Sequence, residues 1–297
     1  MRILHIDTGR EMRGGQWQVL YLIEGLRAKG HEVTLLARPS APLYAGAQKK
    51  AFDVRPAGLF QLSPRADLVH AHDARGHSLA ALSARAPLVV SRRVAFPVGR
   101  GLGSRWKYGR AKHFIAVSGF VQRKLMEAGI PQERISVVCD GVPLGRPAAR
   151  GRRVVAPATD DPGKGTGLLK RAAAIGRFDV HFSTALREDL ARDAAVLVYL
   201  SYEEGLGSGV LLAMAAGVPV VASRVGGLPE AVSHGETGLL VENTPEAVAA
   251  AVRQLLKDGS AADAMAAAAR RRAEALFGVE AMVENTLQVY HRVLSSC

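Results

Sequence analysis

The sequence of 297 residues is long enough for two domains of ordinary size, and its 48% hydrophobic and 22% charged residues are typical of a folded globular protein. Its two cysteines, Cys139 and Cys297, exclude a disulfide framework and a cysteine-based metal site. Residues 1–150 hold 24 of the 39 Lys and Arg residues, which favours an anionic partner over the alternative of a solvated basic surface.

The first half of the chain alternates segments of strand and helix character. MRILHID predicts a strand, RGGQWQ a glycine turn, VLYLIEGLRAKG a helix that ends at Gly30, and HEVTLLA a second strand. DLVHAH, PLVVSRR and HFIAVS predict further buried strands, the helix GFVQRKLMEAG follows, and ISVVCDGV closes this half. This order predicts a parallel sheet with helices on both faces.

A linker and a second α/β series follow. PLGRPAARGRR, residues 143–153, is rich in Pro, Gly and Arg and lacks periodicity, so we place the first domain at 1–145 and the linker at 146–153. The second domain, 154–276, contains the predicted strands VVAPAT, DVHFS, AVLVYLS, VPVVAS and TGLLVE. Helical segments separate these strands, and residues 277–297 contain a final amphipathic helix.

The N-terminal segment does not resemble a signal peptide, because its apolar run is short and Asp7 interrupts it. The longest nearly uncharged stretch, Ser208 to Ser223, is shorter than the roughly 20 residues that cross a bilayer. We therefore expect a cytoplasmic protein without a transmembrane anchor. Peripheral contact with the inner membrane face stays open.

The stretch EEGLGSG has the pattern of a phosphate-binding turn. Glu204 precedes a glycine-rich turn that opens a helix, and Gly205, Gly207 and Gly209 allow the backbone to approach a ligand closely. Backbone N–H groups at the helix start favour a phosphate, and a carboxylate beside them accepts hydrogen bonds from sugar hydroxyls. A tight turn with a capping Glu is the structural alternative.

Two further glycine turns strengthen this interpretation. VGGLPEAV, with Gly226 and Gly227, follows the next predicted strand, and RGGQ, with Gly14 and Gly15, follows the first strand of the other domain. Adjacent turns at the carboxyl ends of parallel strands form the crevice in which open α/β sheets bind ligands. The pattern predicts a phosphate held between the two domains.

Together these motifs resemble the retaining glycosyltransferases of family 4, which have the GT-B fold. The resemblance runs along the chain through RILHIDTGREMRGGQWQVLYLIEGLRAKGHEVTLL, DLVHAH, FIAVSGFVQRKLMEAGIPQERISVVCDGV, GKG, YEEGLGSGVLLAMAAGVPVVASRVGGLPEAVSHGETGLLVE and FGVEAMVENTLQVYHRVL. It implies two Rossmann-like, doubly wound domains facing across a cleft, the second one shortened. It also implies that the helix in 277–297 crosses back to the first domain.

The resemblance also implies roles for single residues. Lys164 is expected to contact the donor phosphates and the leaving group, and Glu204 to hold the sugar hydroxyls; an exposed lysine at a helix start is the alternative. The expected donor and phosphate contacts are Gly14, Gly15, Gly205, Gly207, Ser208, Gly209, Val210, Gly226 and Gly227. Metal independence is implied as well, and it agrees with the lack of an Asp-x-Asp motif in the sequence.

The chain departs from the family pattern at several positions. Leu212 occupies the place of a second Glu that binds the nucleotide ribose, and Thr159 that of an Arg on the diphosphate. Arg93 lies near the place of a histidine of many members, and the segment from Lys164 to Glu204 is about one βα unit short. Arg13, Arg92 and Arg93 are the basic candidates for compensation and for the acceptor side.

Three histidines around one strand end, His70, His72 and His77, are expected to be structural, with ligand contact as the alternative and a metal site disfavoured. No acidic residue occurs from Ala74 to Met126, a stretch that contains eleven basic residues. Nucleic acid is disfavoured as a partner because aromatic residues do not alternate with the basic ones.

We therefore expect an enzyme that transfers a hexose from a nucleotide sugar, with retention of configuration, to an anionic envelope glycan or lipid-linked acceptor. The alternative is a catalytically silent GT-B relative that binds an anionic glycan, a lipid or a protein partner.

Overall fold

The computed structural model of the protein describes residues 1–58, 65–94, 96, 98–99 and 101–296. Cys297 lies outside them, and so does Arg100, one of the eleven basic residues between Ala74 and Met126. Contacts between residues divide the chain into two compact units. The first is Met1–Gly141 with Val279–Cys297, and the second is Val142–Gly278.

The strands alternate with helices along most of the chain. The strands are β1 (Arg2–Asp7), β2 (Glu32–Ala37), β3 (Asp53–Pro56), β4 (Leu68–Ala71), β5 (Leu88–Arg92), β6 (His113–Ala116), β7 (Ile135–Val137), β8 (Arg153–Pro157), β9 (Val180–Ser183), β10 (Ala194–Tyr199), β11 (Val220–Ser223) and β12 (Leu239–Val241). The helices are α1 (Gly14–Ala28), α2 (Pro42–Lys49), α3 (Ala74–Ser83), α4 (Leu102–Arg110), α5 (Gly119–Glu127), α6 (Thr166–Gly176), α7 (Leu186–Asp193), α8 (Ser208–Ala216), α9 (Leu228–Ala231), α10 (Pro245–Lys257), α11 (Gly259–Leu276) and α12 (Val279–Ser295).

Both sheets of the described chain are parallel, as the alternation of strands and helices predicted. The first unit has seven strands in the order β3-β2-β1-β4-β5-β6-β7, and the second has five in the order β12-β11-β10-β8-β9. In each sheet the strand order reverses beside a central strand, which is the doubly wound arrangement of Rossmann-like domains. The loops that leave the carboxyl ends of these strands contain the predicted motifs.

The last helix is part of the core of the first unit. Helix α12 packs against α1, where Gly25 leaves the space that the side chain of Val283 fills; a Cβ at Gly25 would lie 2.4 Å from Val283 Cγ2. Leu20, Ile23 and Leu26, predicted to share one helix face, are fully buried in this core. Tyr290 of α12 is fully buried as well.

Short polar side chains begin several of the helices. Asp73 accepts hydrogen bonds from the N–H groups of Arg75 and Gly76 at the start of α3, and Ser118 accepts one from Val121 at the start of α5. Such caps satisfy N–H groups that the first helical turn leaves without a partner.

The sequence interpretation missed α2, α3, α4 and β3. Helix α4, LGSRWKYGR, buries none of its residues, so its sequence lacks the apolar stripe from which a helix is predicted. Within the described residues no helix combines the length and the apolar character needed to cross a bilayer.

Candidate functional site

Two glycine turns of the second unit lie directly against each other. The first joins β10 to α8 and contains Glu204; the second follows β11 and contains Gly226 and Gly227. The Gly227 N–H donates a hydrogen bond to the Glu204 carbonyl oxygen at 3.1 Å. Gly226 has φ +58, and a Cβ there would lie 2.1 Å from the same oxygen. The second turn therefore supports the backbone from which the Glu204 side chain projects.

The glycines of the first turn are required by packing within the unit. Gly207 has φ +90, and a Cβ there would lie 2.6 Å from Leu228 Cδ2. A Cβ at Gly209 would lie 2.7 Å from Cε2 of Tyr199. The sequence interpretation attributed these glycines to close approach of a ligand, which stays a prediction; the structure adds the contacts with Leu228 and Tyr199 as a packing reason.

A third segment brings Lys164 to this turn. Lys164 ends a short 3-10 turn, and the next residue, Gly165, has φ +65 and lies against Leu200, where a Cβ would be 2.8 Å from the Leu200 Cβ. The Tyr202 N–H donates to the Gly163 carbonyl oxygen at 2.9 Å. These backbone contacts hold the loop before α6 beside the end of β10.

The Glu204 carboxylate is the centre of this cluster. Its Oε2 accepts hydrogen bonds from Lys164 Nζ at 2.7 Å and from the Tyr199 hydroxyl at 2.9 Å, and its Oε1 accepts one from the Gly205 N–H at 3.0 Å. Its side chain is 13% exposed, against 32% for Lys164. Burial and the nearby carboxylate raise the pKa of the Tyr199 hydroxyl well above its usual range. The cluster therefore combines a carboxylate, a partly exposed ammonium group and a neutral phenol.

A hydrogen-bonded network beneath the cluster was not foreseen. The Ser201 N–H donates to Ser223 Oγ at 3.0 Å, Ser223 Oγ donates to Asn243 Oδ1 at 2.6 Å, and Asn243 Nδ2 donates to the Ser201 carbonyl at 3.0 Å. The network links the ends of β10 and β11 to the segment after β12. A polar residue at or just after the end of each of three buried strands is the sequence signal that would have indicated it.

The departures from the family pattern lie close to this cluster in the chain. Leu212 is a partly buried residue of α8. Thr159 Oγ1 accepts from the Asp161 N–H at 3.1 Å, so its hydroxyl stabilises the turn before Lys164. Ser208 is the first residue of α8, and the Val210 N–H donates to the Gly207 carbonyl at 2.9 Å. The Val210 N–H, predicted to meet a phosphate, is thus bonded inside the turn.

The first unit contains the third glycine motif. Gly14 and Gly15 begin α1, and the side chain of Gln16 donates to both carboxylate oxygens of Asp7 at 3.1 Å. Burial raises the pKa of Asp7, and the Asp73 carboxylate adds to this effect. The Cδ of Arg93 lies 3.8 Å from the position of a Cβ at Gly15. The motif therefore has a basic side chain beside it.

The three predicted basic candidates have different surroundings. Arg93 donates from Nε to Asp140 Oδ1 at 2.8 Å, in a pair whose side chains are 15% and 10% exposed. Arg92 donates to the Tyr108 hydroxyl at 2.8 Å and to the Phe96 carbonyl. Arg13 forms an exposed ion pair with Glu11. Arg93 is thus fixed beside the glycine motif, whereas Arg92 holds the segment that follows β5.

A buried histidine cluster, His5, His70 and His72, lies behind Arg93. Arg93 Nη1 lies 3.2 Å from His72 Nδ1, and a guanidinium can only donate, so the His72 proton is on Nε2, which donates to His5 Nδ1 at 2.8 Å. His5 Nε2 then carries a buried proton without an acceptor among the described residues. His70 lies between the Tyr290 hydroxyl (2.6 Å) and Ser91 Oγ (2.7 Å).

Burial lowers the pKa of each histidine in the cluster, and Arg93 adds to the effect; the pKa of His5 falls to about 3. The ring nitrogens lie within 4.8 Å of one another, a spacing that a metal ion would accept. The Arg93 cation beside His72 opposes a second cation there. His77 lies apart, with Nε2 donating to the Lys107 carbonyl at 3.1 Å.

A basic and apolar surface comprises helix α4 and Phe96. It exposes Leu102 (84%), Trp106 (51%) and Phe96 (62%). Arg105 and Arg110 lie on the same short helix and are exposed as well. We call this region the α4 surface; it belongs to the stretch without acidic residues.

Comparisons with known proteins agree with this architecture. The sequence profile described as "Glycosyltransferase Family 4" matches residues 12–146, and the profile "Glycosyl transferases group 1" matches residues 179–272. Together these two matches cover most of both units. The chain belongs to the family 4 (group 1) glycosyltransferases.

Individual relatives and solved structures are similar over different lengths. A D-inositol 3-phosphate glycosyltransferase of Streptomyces avermitilis is 41% identical over 49% of this chain and 33% of its own length. The chain thus spans about a third of the length of the curated relatives it matches. Anabaena HepE, crystallised with UDP-glucose, is 19% identical with a TM-score of 0.83, covering 98% of this chain and 100% of HepE. Sucrose-phosphate synthase from Thermosynechococcus elongatus is 18% identical with a TM-score of 0.76, over the full length of both chains. These likenesses establish the GT-B fold.

Proposed function

We propose that the protein transfers a hexose from a nucleotide-sugar donor to an anionic acceptor with retention of configuration. The observation that carries the proposal is the pairing of Lys164 with Glu204 beside two packed glycine turns. An ammonium group and a carboxylate in this position suit a diphosphate and a sugar, respectively. Membership of the glycosyltransferase family and the UDP-glucose bound by HepE support the same donor class.

In the proposed reaction Lys164 neutralises charge on the diphosphate as the bond between sugar and phosphate breaks. Such a fixed cation stabilises charge that develops in the transition state. Glu204, held in place by its hydrogen bonds, accepts hydrogen bonds from the sugar hydroxyls and orients the ring. The proposal includes metal independence, because Lys164 supplies positive charge at the leaving group.

Leu212 and Thr159 weaken the donor site in this proposal. A leucine forms no hydrogen bond with a ribose hydroxyl, and a threonine carries no charge for the diphosphate. Each lost hydrogen bond to a charged group is worth about 1.5–3 kcal/mol, so together they lower donor affinity by roughly two to four decades. We therefore propose a weak or altered donor preference.

The proposed acceptor is an anionic envelope glycan or a lipid-linked molecule at the inner membrane face. The α4 surface supports it: Arg105 and Arg110 attract anionic groups, while Leu102 and Trp106 suit the boundary between lipid headgroups and acyl chains. The inositol 3-phosphate in the name of the Streptomyces relative indicates a phosphorylated substrate for that protein.

Isothermal titration with UDP-glucose, GDP-mannose and ADP-glucose tests whether the protein binds a nucleotide-sugar donor. Analysis of the anomeric configuration of any product tests retention, and a repeat of the assay in EDTA tests metal independence. Micromolar binding with transfer or hydrolysis that survives EDTA is the expected result. No binding across the panel would reject the transferase and leave a silent GT-B binding protein.

Sedimentation with vesicles tests the membrane part. We expect binding to phosphatidylglycerol-containing vesicles that falls in the double variant Leu102→Ser/Trp106→Ser. Exposed Leu82→Ser is the matched control, because Leu82 is 63% exposed on α3. Equal binding to neutral and anionic vesicles would reject the preference for an anionic surface, and no binding to either would reject the membrane contact.

A further inference from the structure

Tyr199 ends strand β10 directly beneath the Glu204 turn. Its hydroxyl lies 2.9 Å from Glu204 Oε2, the same oxygen that accepts from Lys164. The sequence offered no reason to single out this tyrosine, because it is simply the last residue of a predominantly apolar strand. Its role is visible only from the position of its hydroxyl.

The turn is built around the Tyr199 ring. A Cβ at Gly209 would lie 2.7 Å from ring atom Cε2, and a Cβ at Gly207 would lie 3.6 Å from Cε1. Two backbone positions of the turn thus lie against the ring, one at each of the two carbons that flank the hydroxyl-bearing carbon. A ring packed against the turn in this way keeps its hydroxyl in a fixed place relative to the turn, although the residue is partly exposed.

Lys164 and Tyr199 hold the carboxylate in different ways. Lys164 reaches Glu204 through a flexible side chain that is 32% exposed, and its Nζ also lies 5.9 Å from the centre of the Tyr199 ring. When the ammonium group turns to a diphosphate, its hydrogen bond to Glu204 is lost. The Tyr199 hydroxyl cannot follow a ligand, and it remains a donor because its pKa is raised.

We infer that Tyr199 is a positioning residue: its hydroxyl keeps the Glu204 carboxylate oriented toward the sugar hydroxyls while Lys164 engages the donor phosphates. This inference rests on the proposed function. In this inference Tyr199 acts on the sugar through Glu204, which accepts the hydrogen bond from its hydroxyl. The alternative is that only the ring matters, as packing beneath the glycine turn.

Tyr199→Phe separates the two roles, because it keeps the ring and removes the hydroxyl. Tyr202→Phe is the matched control, since it removes the same group from an exposed tyrosine three residues later in the chain (Tyr202 is 56% exposed). The probes are UDP-glucose and UDP, or the corresponding GDP and ADP pairs if the wild type prefers them, measured by isothermal titration.

We expect Tyr199→Phe to weaken UDP-glucose binding about tenfold and to leave UDP binding within about twofold, because only the sugar depends on Glu204. Tyr202→Phe should change neither. Equal weakening of both ligands would show a packing role and overturn the inference, and so would unchanged binding of UDP-glucose.

A second measurement needs no donor. Calorimetric unfolding of the wild type, Tyr199→Phe, Glu204→Gln and the double variant forms a cycle that isolates the coupling between hydroxyl and carboxylate. Non-additive melting temperatures are expected, and additive ones overturn the inference. If the cycle shows coupling but the wild type binds no donor of the panel, the proposed function fails and the sugar-orienting role falls with it.

Discussion

Lys164 Nζ lies 2.7 Å from Glu204 Oε2, so the two residues expected to serve different parts of one ligand are paired with each other. The pair places a cation and a carboxylate at the same turn, and neither group is left alone. A ligand with both a diphosphate and hydroxyl groups would replace this mutual contact with contacts of its own. In the structure the positive charge of Lys164 and the negative charge of Glu204 therefore offset each other.

Lys164→Met should abolish most transfer activity. Removal of one group that stabilises transition-state charge typically lowers kcat by about 10²–10³-fold, and methionine keeps an unbranched side chain while removing the charge. Lys170→Met is the control, because Lys170 is an exposed lysine of α6 in the same unit. Steady-state kinetics check this, and a loss smaller than about fivefold for Lys164→Met would contradict the assigned role.

Gly226→Ala should destabilise the second unit more than Gly235→Ala. Both glycines have positive φ, +58 and +83, so both substitutions strain the backbone. Only at Gly226 does the new Cβ meet the Glu204 carbonyl, at 2.1 Å, whereas at Gly235 no atom lies within 4 Å. We expect an additional loss of about 1–3 kcal/mol in the unfolding free energy, measured by chemical denaturation. Equal losses of unfolding free energy in the two variants would mean that the contact between Gly226 and the Glu204 carbonyl does not limit the space for a side chain.

Arg93→Met should destabilise the first unit by about 3 kcal/mol, because it leaves the partly buried Asp140 carboxylate without its cation. Arg55→Met removes an arginine from an exposed pair with Asp53, whose side chains are 51% and 45% exposed, and should cost less than about 1 kcal/mol. Both tryptophans, Trp17 and Trp106, belong to the first unit, so tryptophan fluorescence during denaturation reports this unit. Similar losses for the two variants would rule out a special role of the Arg93 pair.

Leu212→Glu should tighten donor binding. The family resemblance places a ribose-binding carboxylate at this position, and a restored charged hydrogen bond is worth about tenfold in affinity. UDP and UDP-glucose should tighten alike, because the ribose is common to both. Leu256→Glu, on partly exposed α10, adds the same charge elsewhere in the unit and serves as control. Titration of both variants decides this, and no change at Leu212→Glu would mean that the site no longer receives a ribose there.

Acid should weaken the first unit through its buried histidines. Burial lowers the pKa of His77 to about 3, so the folded state binds a proton less readily than the unfolded chain. The contribution of neutral His77 to the free energy of unfolding is therefore complete above the unfolded pKa near 6.5 and is lost progressively as the pH falls toward 3. By pH 5 the free energy of unfolding is lower by about 2 kcal/mol. His77→Gln should reduce this pH dependence in fluorescence-monitored denaturation between pH 7 and 5. Identical pH profiles for variant and wild type would contradict it.

The order of strands and helices followed from local sequence patterns, and the structure confirms the parallel sheets they predicted. Leu20, Ile23 and Leu26 lie on the buried face of α1 because helical periodicity is a property of neighbouring residues. Helix α4 was missed because none of its residues is buried, so its sequence has no helical periodicity of apolar residues. The predicted domain boundaries and site roles remain predictions.

The glycine turns show where sequence reasoning reaches its limit. The motif located Glu204, Gly209 and Gly226, but it could not indicate that Gly209 packs against the Tyr199 ring or Gly226 against the Glu204 carbonyl. The Arg93 pair with Asp140 likewise joins residues 47 positions apart. No local sequence pattern encodes such contacts, because they join segments that are distant in the sequence and meet only when the strands and helices pack.

The sequence alone determined the family, the order of strands and helices, and the position of Lys164 and Glu204 in their motifs. Each of these features depends on residues that lie close together in the sequence. Only the tertiary structure decided that the lysine and the carboxylate are paired, that a tyrosine hydroxyl shares the same oxygen, and that one arginine is fixed beside the glycine motif. Hydrogen bonds require positions correct to a fraction of an ångström, and such precision arises only when distant segments pack together.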